Sequence, residues 1–240
     1  MRIFKADLHI HSCLSPCGDL DMSPKAIVKE SKKKDLNIIA ICDHNSAENV
    51  SAAVRAGKEE GICVIPGLEI CSKEEVHLLA LFNDEVDALK MQDVIYENLE
   101  GTNRPEIFGD QIVANEYDEV EGINDRLLIG ATRLSIYEIE AAIHRLGGIC
   151  ILSHVDRPSY SIFSQLGFIP KDLKVDAIEI SGKIQDRVKS LVHKYPVIYS
   201  SDAHFLNDIG RKHTEFYMEK AEFPEICMAL RGEMGRRVLS

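Results

Sequence analysis

No stretch of this chain approaches the roughly 20 apolar residues that cross a bilayer, so no membrane partner is expected. Basic residues are scarce: 28 Lys and Arg stand against 39 Asp and Glu, a net charge of -11. Backbone binding to nucleic acid works by neutralising phosphates with cations, so this deficit argues against long nucleic acid as a partner. A local metal cluster could still bind a small phosphorylated molecule. The chain contains no P-loop, no GxSxG elbow and no GxGxxG turn, which leaves nucleotide-driven transfer and serine hydrolysis without support. No export leader precedes Met1-Arg2-Ile3-Phe4, and the seven cysteines are an odd number. Both features point to reduced thiols and a cytoplasmic location. Neither an internal repeat nor a linker is visible, so residues 1–240 read as one domain, within the size range of an α/β barrel.

Strand and helix signals alternate along that domain. Apolar runs at 4–10, 37–42, 62–68, 76–82, 149–153, 175–180 and 197–200 read as strands. Helices are expected at 23–34, with Ser23 as N-cap and Pro24 first in the helix, and at 46–60, closed by Gly61. Three more are expected at 85–97, at 135–146 with Ser135 as cap, and at about 185–194. Repeated βα units with wholly apolar strands imply a parallel sheet, and seven strands suit a barrel better than an open sheet. Cys42, Cys63 and Cys150 fall inside these runs and read as small core residues. Residues 98–133 break the rhythm: they are polar, acidic and rich in Gly and Asn. This insertion reads as a solvated excursion, or as a lid or oligomer contact beside the site.

Histidines and carboxylates gather where the runs end. They are His9-Ile10-His11, Asp43-His44, Glu69, His77, His154 and Asp202-Ala203-His204, each placed at or just beyond the C-terminal end of an apolar run. Side chains two apart on a strand share a face, so His9 with His11, and Asp202 with His204, can reach a common ion. Imidazoles and carboxylates at the C-terminal edge of a parallel sheet are what a hydrolytic metal centre needs. Asp7 shares the face of His9 by alternation and is expected either to orient an imidazole or to brace the barrel end. Asp43 is expected to support a ligand. His144, His193 and His213 lie in helical or charged surroundings and read as surface residues.

In order and spacing this pattern resembles the PHP family, the polymerase and histidinol phosphatase superfamily. The matching segments are Asp7-Leu8-His9-Ile10-His11, Cys42-Asp43-His44-Asn45, Gly67-Leu68-Glu69-Ile70, Val76-His77, Ser153-His154 and Ser201-Asp202-Ala203-His204. The resemblance implies a distorted (β/α)7 TIM-like barrel holding two or three divalent transition-metal ions, Zn, Mn or Fe. It implies a first ion on His9, His11, Glu69 and Asp202. Glu69 would bridge to a second ion on His77 and His154, and His44 and His204 would hold a third. Many relatives complete the third site with a His or Asp several residues after the HxH. This chain departs from them with Ser15-Pro16-Cys17-Gly18-Asp19, where Cys17 and Asp19 both compete for the role.

The same resemblance implies hydrolysis of a small phosphomonoester by water activated between two ions. Glu69, Asp202 and His204 would be the catalytic residues, with His204 or a metal-bound water the proton donor to the leaving group. Arg157, three residues after His154, would bind the phosphate through its guanidinium or else form a rim salt bridge. A nuclease or nucleotide phosphoesterase is the alternative within enzymology. A metal-binding regulatory module whose chemistry has lapsed is the alternative from another class.

Overall fold

The structure is a computed structural model and describes residues 1–182 and 193–239. The helix expected at 185–194 lies largely outside these residues. The elements run β1 (Arg2–Ile10), α1 (Pro24–Lys33), β2 (Ile38–Ile41), α2 (Val50–Glu60), β3 (Cys63–Cys71), β4 (His77–Leu81) and α3 (Glu85–Tyr96). Then follow α4 (Pro105–Phe108), β5 (Ile112–Ala114), β6 (Val120–Ile123), α5 (Ile136–Arg145), β7 (Ile149–Leu152), α6 (Ile162–Gln165), β8 (Ala177–Glu179), β9 (Val197–Ile198), β10 (Thr214–Met218), α7 (Phe223–Arg231) and β11 (Arg237–Val238). The expected caps are in place. Ser23 accepts from the Ala26 amide at the start of α1, and Ser135 forms a reciprocal capping box with Glu138 at the start of α5.

One nine-stranded sheet has the order β11-β10-β1-β2-β3-β4-β7-β8-β9. A parallel bridge between Ile10 and Ala203 brings the chain beyond β9 back against β1. The seven strands from β1 to β9 in that order therefore curl into a nearly closed barrel, with helices outside. These are the seven expected runs. Their directions are a correction, because β4 is antiparallel to both β3 and β7. Only residues 72–76 separate β3 from β4, and a parallel crossover needs a dozen or more. His77 consequently opens its strand instead of ending it, and that still places it on the same rim as Glu69. β10, α7 and β11, which the sequence did not signal, flank β1 from outside the barrel.

Inward positions alternate along each strand and change character at the rim. On β3 the series is Ile65, Gly67, Glu69; on β7 and its end, Ile149, Ile151, Ser153; after β9, Ile198, Ser200, Asp202. Ile65, Leu79, Leu81, Ile149, Ile151, Ala177 and Ile198 belong to one buried apolar cluster that plugs the barrel. Gly67 sits in that plug, where an added Cβ would lie 2.7 Å from Leu81 and 2.9 Å from the Cys42 sulfur. A second cluster, including Ile39, Ile41, Val50, Ile70, Leu78 and Ile139, packs the helices onto the outer face. The polar layer is thus the last one, at a single end of the barrel.

The 98–133 insertion is built, with the β5–β6 hairpin at its centre. Asn49 clamps it by donating to the Ile112 carbonyl and accepting from the Ala114 amide. Asn45 donates to the Leu128 and Gly130 carbonyls. These side chains occupy the stretch just before α2, and that helix starts at Val50, later than its apolar pattern suggested.

Candidate metal centre

Glu69 stands at the centre of the rim, fully buried, with nitrogens on both oxygens. Its Oε1 lies 3.1 Å from His77 Nδ1, 3.1 Å from His154 Nε2 and 3.4 Å from His9 Nε2. Its Oε2 lies 3.2 Å from His44 Nδ1 and 3.5 Å from His11 Nε2. Asp202 Oδ1 is 3.1 Å from His11 Nε2 and 3.4 Å from His9 Nε2. Every histidine and carboxylate expected as a ligand is therefore brought together. Cys17 joins them: it forms a potential donor set with His11, His44 and His204, all within 4.8 Å of one another. Asp19 does not. Its amide donates to the His204 carbonyl, its carboxylate accepts from Asp21, and it lines a different recess.

Hydrogen bonds behind the cluster fix which way the imidazoles present their lone pairs. His9 Nδ1 donates to Glu179 at 3.0 Å. His11 Nδ1 donates to Ser15 Oγ at 2.9 Å, because that hydroxyl gives its own proton to Asp43. His204 Nδ1 donates to the Asp202 carbonyl at 2.8 Å. In its neutral form each of these rings carries its lone pair on Nε2, facing inward. His9 Nε2 and His11 Nε2 are only 3.1 Å apart, an approach that two lone pairs tolerate only with a cation or a proton between them. His77 Nδ1, His154 Nδ1 and Asp202 Oδ1 are buried without a hydrogen-bond partner among the described residues. Crowded nitrogen and oxygen donors, three of them buried without a hydrogen bond among the described residues, fit a divalent transition metal.

The electrostatics agree. Burial alone would raise the Glu69 carboxyl, but His77 and His9 outweigh it and hold it well below the usual carboxylate range. Asp202 follows the same pattern, with His9 and His11 prevailing over burial. Burial and the neighbouring His11 push His44 well down and His204 to about 4, which keeps both neutral. Burial pulls His9 down too, but Glu179, Asp202 and Glu69 prevail and hold it well above the ordinary imidazole range. Burial, then Glu69 and Asp202, push the Cys17 thiol up to about 12; the residue is exposed overall, yet the thiol borders the recess.

Asp7 does not reach an imidazole. The strand register shifts between Asp7 and Ile10, and its oxygens instead accept from the Ser201 and Gly210 amides, bracing the turn that carries Asp202. Arg157 Nη2 lies 2.6 Å from Asp202 Oδ2, so the guanidinium rests against the cluster as a salt bridge. His193 is exposed, but His144 is half-buried between Glu140 and Asp176. Glu179 escaped the sequence reading. It accepts from His9 Nδ1 and from the His154 amide, tying two ligands together. A charge near the end of the apolar run Val175–Ile180 was the available signal.

The cluster opens into a recess of about 280 Å³, bordered by Arg157, Tyr160 and, from the insertion, Ile129. A larger recess of about 440 Å³ lies near the start of β3, away from all these donors. Two ligand-bearing positions are held at positive φ, His154 at 28° and Asp202 at 50°. Such backbone is uncommon for residues other than glycine and gathers at functional sites.

Comparison with known proteins places this geometry. A family model described as PHP domain matches residues 7–206, and one described as PHP-associated matches 190–233. A 5'-3' exoribonuclease of Haemophilus influenzae is 30% identical over 133 residues, which make up 50% of this chain and 46% of that one. Among solved structures, a lesion-specific endonuclease from Pyrococcus furiosus superposes with TM-score 0.76 at 20% identity, covering 99% of this chain and 58% of its own. Endonuclease Q, in complex with a 27-mer duplex bearing an abasic lesion at its active site, superposes with TM-score 0.75 at 21% identity, over 98% and 58%. This chain thus spans less than two thirds of each of these proteins. The last structure overturns the expectation of a small phosphorylated partner with long nucleic acid disfavoured. Net charge is a sum over the whole surface, and Arg157 borders the recess despite the overall acidity. It does not report the local field met by a phosphate.

Proposed function

The chain belongs to the PHP domain family and is a metal-dependent hydrolase of phosphoester bonds; from that premise we propose that it cuts phosphodiesters in nucleic acid. The observation that carries this reading is Glu69, a buried carboxylate with five imidazole nitrogens within 3.5 Å of its oxygens, a placement suited to bridging ions. We assign His9, His11 and Asp202 to one side of that bridge and His77 and His154 to the other. His44, His204 and Cys17 surround a third position. The likeness to the exoribonuclease and to endonuclease Q supports a nucleic-acid substrate over a small ester.

Divalent cations held there would supply Lewis acidity to the phosphoryl group and bring the pKa of water near neutral. The chain's own residues set the rest. Glu179, Ser15 and Asp43 hold the His9 and His11 rings with their Nε2 atoms inward. We assign His204 as a ligand and not the proton donor, because its Nδ1 proton is committed to the Asp202 carbonyl and the half-buried ring stays neutral. Arg157 pairs with Asp202 Oδ2 at the recess and is placed to turn onto a phosphate oxygen, where its planar fork suits the geometry.

The test is a panel of labelled DNA and RNA strands and duplexes, one with an abasic site, alongside phosphomonoesters. Each is incubated with protein loaded with manganese, zinc or iron. Strand cleavage that chelator abolishes and that Glu69→Ala lowers at least about a hundredfold is the expected result. Release of phosphate from monoesters with every strand left intact would sink the nuclease reading.

A further inference from the structure

The recess mixes charged and imidazole side chains with an exposed aromatic ring and an aliphatic one. Its walls are the imidazoles, Glu69, Asp202 and Arg157; Tyr160 and Ile129 border it as well, 45% and 37% exposed. At about 280 Å³ it falls just below the usual range of small-molecule pockets, about 300–1,000 Å³. A phosphate with part of its sugar suits such a recess. A base beside that phosphate would meet Tyr160 and Ile129, the exposed apolar side chains of the lining.

We propose that Tyr160 is the platform on which the base next to the reacting phosphate stacks, an inference that rests on the nucleic-acid reading above. The ring stacks on His77 with centroids 4.7 Å apart and planes 21° from parallel. One face is thereby covered by a histidine of the cluster, while the side chain stays nearly half exposed at the opening. Its backbone is held at φ 54°, a conformation that bulky side chains seldom adopt. That turn is fastened by the Tyr160 carbonyl, which accepts from the His77 amide at 2.9 Å. The ring's height above the cluster is thus set by the strand that carries His77. The same loop supplies His154 and Arg157, so one segment would present a histidine to the cluster, a guanidinium to the phosphate and an aromatic face to the base. Stacking of a base on an aromatic ring is tolerant of sequence, so this contact would hold any of the bases.

The distinguishing measurement is the fluorescence of a strand carrying 2-aminopurine, which dims when that base stacks. Metal-loaded wild-type protein should quench the probe at one position, and Tyr160→Phe should quench it equally. Tyr160→Leu should abolish the quench and weaken binding of the strand about tenfold, with metal content unchanged. Affinity for the same strand bearing an abasic analogue at that position should be the same in wild type and Tyr160→Leu. The inference is overturned if wild type binds and cuts strands without quenching any position. It is equally overturned if Tyr160→Leu loses metal while Tyr160→Phe keeps it without quenching, since the ring would then only support His77. A wild-type protein that neither binds nor cuts strands refutes the nucleic-acid reading itself, a separable outcome.

Discussion

At Cys17 a sulfur stands among three imidazoles where the family pattern has a nitrogen or an oxygen donor. A thiolate is a soft ligand that favours zinc or iron over manganese, and metal binding would have to displace a proton that burial now holds firmly. If Cys17 ligates, its thiol should resist alkylation in metal-loaded protein and react after chelation, read by mass spectrometry. Cys17→Ser should weaken one ion and leave the pair across Glu69 in place, and Asp19→Ala should do little. Loss of that ion in Asp19→Ala alone would assign the ligand to the carboxylate, against the geometry. The competing roles of Cys17 and Asp19 were undecidable in the sequence, because two residues in one loop can each reach a site whose position is unknown. Glu179 was hidden for a related reason: its role consists wholly of contacts to His9 on β1 and to His154 beyond β7.

Between α5 and β8 a second histidine does structural work of a different kind. His144 Nδ1 lies 2.6 Å from Glu140 and its Nε2 2.8 Å from Asp176, which also accepts from the Cys150 amide in β7. With carboxylates on both nitrogens, only the imidazolium satisfies both contacts. The bond to Asp176 is the main influence raising its pKa above 6.5, against the opposing effect of partial burial. A group whose folded pKa is raised contributes stability in full below its unfolded pKa, and that stability is lost as pH climbs through the folded value. The Tm advantage of wild type over His144→Gln should therefore be greatest near pH 5.5–6 and shrink toward pH 8.5. The ring is about a third exposed, so the gap should be modest. An advantage constant across that range, or growing with pH, would refute the ion-pair account. At this scale most helices were legible because caps and apolar periodicity are local. The reversed direction of β4 was legible as well, in the brevity of 72–76, but a uniformly parallel reading passed over it.

Over the whole molecule, the cluster joins β1, β3 and β4 to the segments that follow β2, β7 and β9, so ion binding should act on global stability. Ligands that bind only the folded state stabilise it by about 4 kcal/mol at a thousandfold excess over Kd, on the order of 10 °C in Tm for a chain of this size. Calorimetry of chelated and zinc-loaded protein should show that rise, and Glu69→Ala should lose most of it. An equal Tm in both forms despite stoichiometric zinc would mean that the ions do not tie the barrel together. By itself the sequence determined the seven apolar strands, most of the helices and the list of donors, because strand periodicity, capping and ligand chemistry are each written in residues a few positions apart. Only the tertiary structure decided that Cys17 and not Asp19 reaches the cluster, that Glu179 backs two of its histidines and that Tyr160 lines its recess. Each of these depends on which residues barrel closure brings within a few ångströms, and closure sets distances between segments up to about two hundred residues apart that no local pattern encodes.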